Sequence, residues 1–217
     1  MIEVAERLFA ERGVNGASLR EVGAAAGQRN TAAARYHFGT KKGLVDAIFE
    51  HRMTPINARR VAMLDEFDRD GRGHELCALT EAFVFPLSDM LGDVGRPSWY
   101  LRFCVHAAFS EGSTASALGR DDWTRGMHTV RVRVIELLDH LPPAVRADRW
   151  TLFAGYIAHA LADRELAIDQ GRAAHLSSRA VFLGEVVDTA IGLVTARQRD
   201  PTCSHHARST DHQKGLT

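Results

Sequence analysis

Between positions 29 and 42 the chain gathers side chains able to hydrogen-bond to anions and to base edges: Arg29, Asn30, Thr31, Arg35, Tyr36, His37, Lys41 and Lys42. Tyrosine and histidine hydrogen-bond to phosphate oxygens, and arginine and asparagine reach base edges. The two lysines make a separate point. They fall in the first turn of an expected helix, where positive charge opposes the helix macrodipole at a cost of a few tenths to about 1 kcal/mol. An anion at that helix start reverses the sign, because backbone N–H groups and two ammoniums then point at it. A nucleic-acid phosphate is the obvious candidate. The competing explanation is that both lysines are solvated surface residues.

These side chains need elements to position them. Residues 2–12 place Val4, Ala5, Leu8 and Phe9 on one stripe, as an amphipathic helix does, and Gly13 and Gly16 end it. Ser18 followed three residues later by Glu21 is a capping-box pattern. It opens a short helix with Leu19 and Val22 facing inward, closed by Gly27. Asn30 is expected to cap a second short helix from Thr31 to about Tyr36, whose inner face is only Ala32, Ala33 and Ala34. Little side-chain bulk lets that helix sit close to its neighbours and present its polar side outward. Two short helices joined by a tight turn form a helix-turn-helix unit, the second helix of which lies in a DNA major groove. Ser18, at the start of the first, joins the candidate DNA-contacting residues. Gly39-Thr40 then makes a turn and a cap. Lys41 begins a longer helix with Leu44, Val45, Ile48 and Phe49 as its apolar stripe. Pro55 is expected to kink that helix or mark a handover, with helix running on toward Phe67.

The charge distribution agrees with a basic head. Residues 1–60 hold ten Lys/Arg against six Asp/Glu, a net +4; the remainder holds 17 against 21, a net −4. Overall the charge is zero, which argues against a general polyanion binder. The 217 residues suffice for one large or two modest domains, and 45% hydrophobic with 25% charged content is that of a globular chain. No apolar run reaches the roughly 18 to 20 residues of a membrane span. Met1 leads directly into a charged amphipathic stretch in place of a secretory signal, so a cytoplasmic location is expected, with no membrane partner. Cys77, Cys104 and Cys203 are scattered, without metal-ribbon or disulfide spacing.

Arg69–Gly73 reads as a linker, and helical patterns follow at about 74–91 (bent at Pro86), 98–111, 114–140, 143–170 (with Pro143 at its start) and 176–198. No segment shows period-2 alternation with turn chemistry. Residues 199–217 are almost devoid of apolar side chains and are expected to be disordered. Enzyme motifs are missing: there is no H-E-x-x-H, P-loop, G-x-S-x-G or Gly-rich dinucleotide turn. Cys104 and His106 are two apart on a helix and do not face each other, so they make no catalytic pair. His205, His206, His212 and Cys203 lie in the polar tail, and no metal or cofactor is expected.

As a set, AERLFAERG at Ala5–Gly13, Ser18-Leu19-Arg20-Glu21-Val22, Ala26-Gly27, His37-Phe38, Lys41, Leu44 and Ala47 resemble the DNA-binding domain of TetR-family transcriptional regulators, over about residues 2–50. Gln28–Tyr36 is about one residue longer than the family's common spacing, which leaves Arg35 and Tyr36 as alternatives for one phosphate contact. The resemblance implies an all-α protein. Residues 1–50 would form an N-terminal three-helix helix-turn-helix DNA-binding domain, and residues 51–198 a larger C-terminal helical ligand-binding and dimerisation domain. It implies a homodimeric repressor of transcription, released from a near-palindromic double-stranded DNA operator by a small-molecule effector. By the same analogy Trp99, Phe103, Cys104, His106, Trp123, Met127 and Phe153 are candidate effector contacts, with plain core as the alternative for each. Gly155, His159, Val186, Ala190, Leu193 and Val194, on stripes of the last two long helices, are candidate dimer contacts, with internal core again the alternative. The rival classes are an enzyme and a helical protein-interaction module without DNA binding.

Overall fold

The computed structural model describes residues 1–28, 33–93, 96–108 and 124–198. Among these it is all helical: α1 (Ile2–Arg12), α2 (Leu19–Ala25), α3 (Ala33–Phe38), α4 (Lys41–Arg69), α5 (Leu76–Ser88), α6 (Tyr100–Ala108), α7 (Arg125–Glu136), α8 (Pro143–Asp169) and α9 (Arg179–Thr195). The only bridge between extended residues among them joins Asp93 and Arg96. The capping box is present as read. The Glu21 N–H donates to Ser18 Oγ at 3.2 Å, and the Ser18 N–H donates to Glu21 Oε2 at 2.8 Å. The polar tail from 199 on lies outside the described residues, as do parts of the helices expected over 98–111 and 114–140.

Helix α4 runs on through Pro55, 29 residues in all, toward Phe67 as expected. The boundary expected between residues 50 and 51 lies within it. The apolar core is likewise continuous from Ala5 on α1 to Val194 on α9. Helix α1 packs on α6, α4 on α5 and α7, α5 on α9, and α8 on both α6 and α9.

The joint between the N-terminal head and the body is aromatic. Phe103 on α6 is fully buried, with ring centroids 6.2 Å from Phe9 on α1, 5.0 Å from Phe49 on α4 and 6.1 Å from Tyr100. Polar ties surround it. Glu6 on α1, 1% exposed, accepts two hydrogen bonds from Arg52 on α4, at 2.8 and 3.2 Å. Glu165 on α8, equally buried, accepts from the backbone N–H groups of Leu101 (3.2 Å) and Arg102 (3.1 Å). Those are among the first N–H groups of α6, which have no acceptor within their own helix, so α8 supplies the cap. Arg102 completes the set, donating to Glu165 at 3.1 Å and to Asp169 at 3.0 Å.

Phe103 touches three elements at once, so its truncation opens a cavity that none of them can close alone. Phe103→Ala should cost about 3 to 5 kcal/mol in chemical denaturation. A cost below about 1 kcal/mol would show that head and body do not share this core.

Candidate nucleic-acid interface

The second helix of the unit is held by one small residue. Ala34 on α3 is fully buried, while Arg35, Tyr36 and His37 on the same turn are exposed, Tyr36 by 86%. An aromatic ring so open to solvent contributes nothing to folding by burial. Its centroid stands 5.3 Å from the His37 ring, edge to face, and the His37 ring is 6.3 Å from Phe38, which packs against the core. The Arg35-Tyr36-His37 surface is thus fixed from below by Ala34 and Phe38. Arg29, Asn30 and Thr31, and with them the expected Asn30 cap, lie outside the described residues.

The start of α4 follows immediately. Gly39 turns the chain at φ +67°, and Thr40 Oγ1 accepts from the Gly43 N–H at 3.0 Å. Gly43 is required by proximity: a Cβ there would lie 2.2 Å from the Phe38 carbonyl oxygen. The end of α3 and the first turn of α4 therefore approach at a distance no other residue permits, and the Tyr36-His37 edge stands beside the N–H groups at the start of α4.

The two lysines separate in role. Lys41 is half-buried and its ammonium donates to the Val14 carbonyl, 3.1 Å away in the turn after α1. That bond ties α4 to the end of α1 and accounts for this charge without an anion. Lys42 is exposed and pairs with Asp46 at 2.7 Å, one turn on along α4. Exposed pairs of this kind contribute about 0.2 to 1 kcal/mol, so an incoming anion displaces the carboxylate at little cost. Lys41 was not expected to have an internal partner; no periodicity in the sequence shows a contact 27 residues away.

Residues 1–48 match the model of the bacterial regulatory proteins of the tetR family. They form a TetR-family N-terminal DNA-binding domain. Regulators of this family are DNA-binding proteins without enzymatic activity. No curated protein matches the chain. No helix among the described residues is long and apolar enough to cross a membrane, and no three of their His, Cys, Asp or Glu side chains come together as metal ligands.

Outside the TetR-family head the expected effector contacts do not converge. Phe103 and Phe153 are fully buried core, the latter 5.5 Å from both Phe83 and Trp150. Trp99 is half-buried and packs on the core. The Met127 N–H donates to Asn57 Oδ1 at 3.1 Å. Burial pushes the Cys104 thiol far above its usual range. Trp123 lies outside the described residues. Only His106 lines an open cleft of about 480 Å³, between α1 (Ala10, Glu11), α6 (Arg102, Val105) and α8 (His159, Asp163).

The expected dimer contacts also divide. Val186, Ala190 and Val194 point into the chain's own core, at 0–1% exposure, so they are internal packing residues and not a free surface. Leu193 is half-buried. Gly155 has open space where a Cβ would stand, and exposed His159 sits above it, its Nδ1 2.8 Å from the Gly155 carbonyl oxygen. The exposed residues of α9 include Val181, Gly184, Asp188 and Gly192 at helical spacing, and α9 packs against α8.

The cap that starts the helix-turn-helix can be tested by itself. Ser18→Ala should destabilise the protein by about 1 kcal/mol. Hydrogen bonds from the Ser18 hydroxyl and backbone N–H hold the Glu21 carboxyl below its ordinary 4.5. A depressed carboxyl stabilises the fold above its unfolded value and loses that effect as pH falls through the folded one. The gap in melting temperature between the native chain and Ser18→Ala should therefore narrow below about pH 4.5; a gap independent of pH would remove Glu21 from the cap.

Proposed function

We propose that the chain acts as a homodimer that binds a near-palindromic double-stranded DNA operator and represses transcription in the cytoplasm until a small-molecule effector releases it. The observation that carries the DNA half is the exposed Arg35-Tyr36-His37 edge beside the N-terminus of α4. In this reading α3 enters the major groove, with Arg35 and the preceding Arg29, Asn30 and Thr31 toward base edges. Tyr36, His37 and the α4 start, with Lys42, take phosphate oxygens. Lys41 holds the α4 start in place against Val14.

Dimerisation is supported by the stripe that one chain leaves open. Leu152 and Val181, 61% and 56% exposed, flank glycines with room beside them. Two copies facing each other through α8 and α9 would set their α3 helices about 34–36 Å apart, one turn of DNA. An effector that prefers another head spacing then lowers DNA affinity, and DNA lowers effector affinity by the same factor, typically about 5- to 150-fold.

A gel shift with the DNA upstream of the chain's own gene tests the whole reading; no shift at low salt favours a helical interaction module. Lys42→Ala should weaken binding to all sequences and reduce the slope of log K against log salt by about 1. Arg35→Ala should change sequence preference, and a uniform loss across operators would make it a positioning contact only. Gly184→Arg should yield monomers by sedimentation and lower operator affinity, while a dimer that persists would move the interface elsewhere.

A further inference from the structure

Past the head, helix α4 is pinned to the body at two stations. The first is buried. Asn57, 3% exposed, stands one turn before the fully buried Arg60. Asn57 Oδ1 accepts from Arg60 Nη1 at 2.7 Å and from the Met127 N–H of α7 at 3.1 Å. Met127 is in the first turn of α7, where N–H groups have no acceptor within their own helix, so α4 supplies one. Arg60 in turn reaches α5: Nε donates to the Ala82 carbonyl at 3.0 Å and Nη2 to the Phe83 carbonyl at 3.3 Å. Pro86, four residues after Ala82, has no N–H to give that carbonyl. The guanidinium also lies over the Phe83 ring, 5.2 Å from its centroid. Gly126 lets α7 come this close. A Cβ there would stand 3.2 Å from Asn57 Oδ1 and 3.3 Å from the Asn57 carbonyl oxygen. The Asn57 side chain thus meets α7 directly and α5 through Arg60.

The second station is Asp68, which accepts from Arg133 of α7 at 2.7 and 2.8 Å. Two points fix the direction of a rod. Asp68 is 11 residues beyond Asn57 and 27 beyond Lys41. With Asp68 held, a sideways shift at Asn57 grows about 2.5-fold by the start of α4, so that about 1 Å becomes about 2.5 Å. Two copies related by a two-fold axis double it, to about 5 Å between heads, more than the roughly 3.4 Å rise of one base pair. Asn57 also braces the rod. Its Nδ2 donates to the Met53 carbonyl at 3.2 Å, across the turn that holds Pro55 and lacks that residue's N–H.

We propose that Asn57 is a positioning residue for operator recognition: its side-chain carbonyl sets the angle of α4 against α5 and α7, and so the distance between the two DNA-contacting edges of a dimer. It touches no DNA itself, being 16 residues and about 24 Å along the helix from Lys41. The role rests on the homodimeric regulator reading above and deepens it.

The full chain first selects its paired half-sites from random duplex DNA. Fluorescence anisotropy then gives affinities for the selected operator, for versions with one base pair added or removed between half-sites, and for a single half-site. The native chain should bind the altered spacings at least tenfold more weakly. Asn57→Ala should shrink that loss to threefold or less, with single-half-site affinity and dimer mass unchanged. Asn57→Asp keeps an acceptor for Arg60 and Met127 and should restore the native ratio. Because Asn57→Ala can unfold the body, Gly126→Ala is measured beside it and decides if the first does not fold. Alanine favours helix, so α7 keeps its local stability while the added methyl presses on Asn57; the spacing loss should again shrink. A native spacing ratio in these alanine variants, even with a lowered melting temperature, overturns the positioning role. A native chain indifferent to one base pair overturns it too, as does an Asn57→Asp chain that behaves like Asn57→Ala. A native chain that selects no paired half-sites overturns the homodimeric reading and this role with it, whereas paired half-sites with unaltered ratios in the variants overturn the role of Asn57 alone.

Discussion

The burial of Glu6 is the constraint on which the joint between head and body depends. A carboxylate taken almost wholly out of water loses its hydration, and burial raises its pKa even though Arg52 donates two hydrogen bonds to it. Arg52 keeps about a quarter of its side chain exposed, and its own pKa is raised: burial lowers it, but the bond to Glu6 and the charge of Glu6 more than offset that. The two shifts differ because the carboxylate bears most of the desolvation. A raised carboxyl favours folding below its unfolded value and withdraws that contribution as pH rises through the folded one. The ionised joint is therefore held at some cost to stability, and the aromatic packing of Phe9, Phe49 and Phe103 around it makes it tenable.

Helix α4 converts this local joint into a long-range one. Its first turn closes the DNA-contacting edge through Thr40 and Gly43. Further along, Arg52 ties it to α1, Asn57 to α7, Arg60 to α5, and Asp68 accepts from Arg133 of α7 at 2.7 and 2.8 Å. At 1.5 Å per residue, Lys41 and Arg60 are about 28 Å apart along the helix. A shift of α5, α6 or α7 against α4 reaches the head through one rigid element and not through a flexible linker. Of the two readings Pro55 allowed, a kink or a handover, the structure has no handover: the helix continues to Arg69.

Local signals were legible where the contacts are local. Ser18 and Glu21 are three residues apart, and their capping box formed as read. Thr40 caps α4, and the described helices other than α7, expected over about 114–140 and described as Arg125–Glu136, lie within a few residues of their expected bounds. What failed were the contacts that join distant residues. Lys41 finds Val14, Glu165 caps α6 from α8, and Arg60 meets a carbonyl freed by Pro86. One of these had a visible signature. Met53, Ile56, Arg60, Leu64 and Phe67 recur at helical spacing, so Arg60 interrupts an apolar stripe where a solvated arginine would not stand. The candidate effector residues were chosen as aromatic or sulfur side chains, the same types that fill cores, and Phe103 and Phe153 proved to be core.

Of the candidate dimer residues, Val186, Ala190 and Val194 are internal core, for a reason that bears on α9. That helix has one apolar side and one side of small and charged residues. Val186, Ala190 and Val194 form one side and are consumed inside the chain. Val181, Gly184, Asp188 and Gly192 lie on the other and are exposed. Periodicity finds the Val186-Ala190-Val194 stripe but cannot say whether it meets the chain's own α5 and α8 or a second copy. In the proposed homodimer an isologous contact covers the exposed side, its glycines letting the two copies' helices approach closely. The glycines that look idle in one chain then have a use, as the positions where two backbones come together.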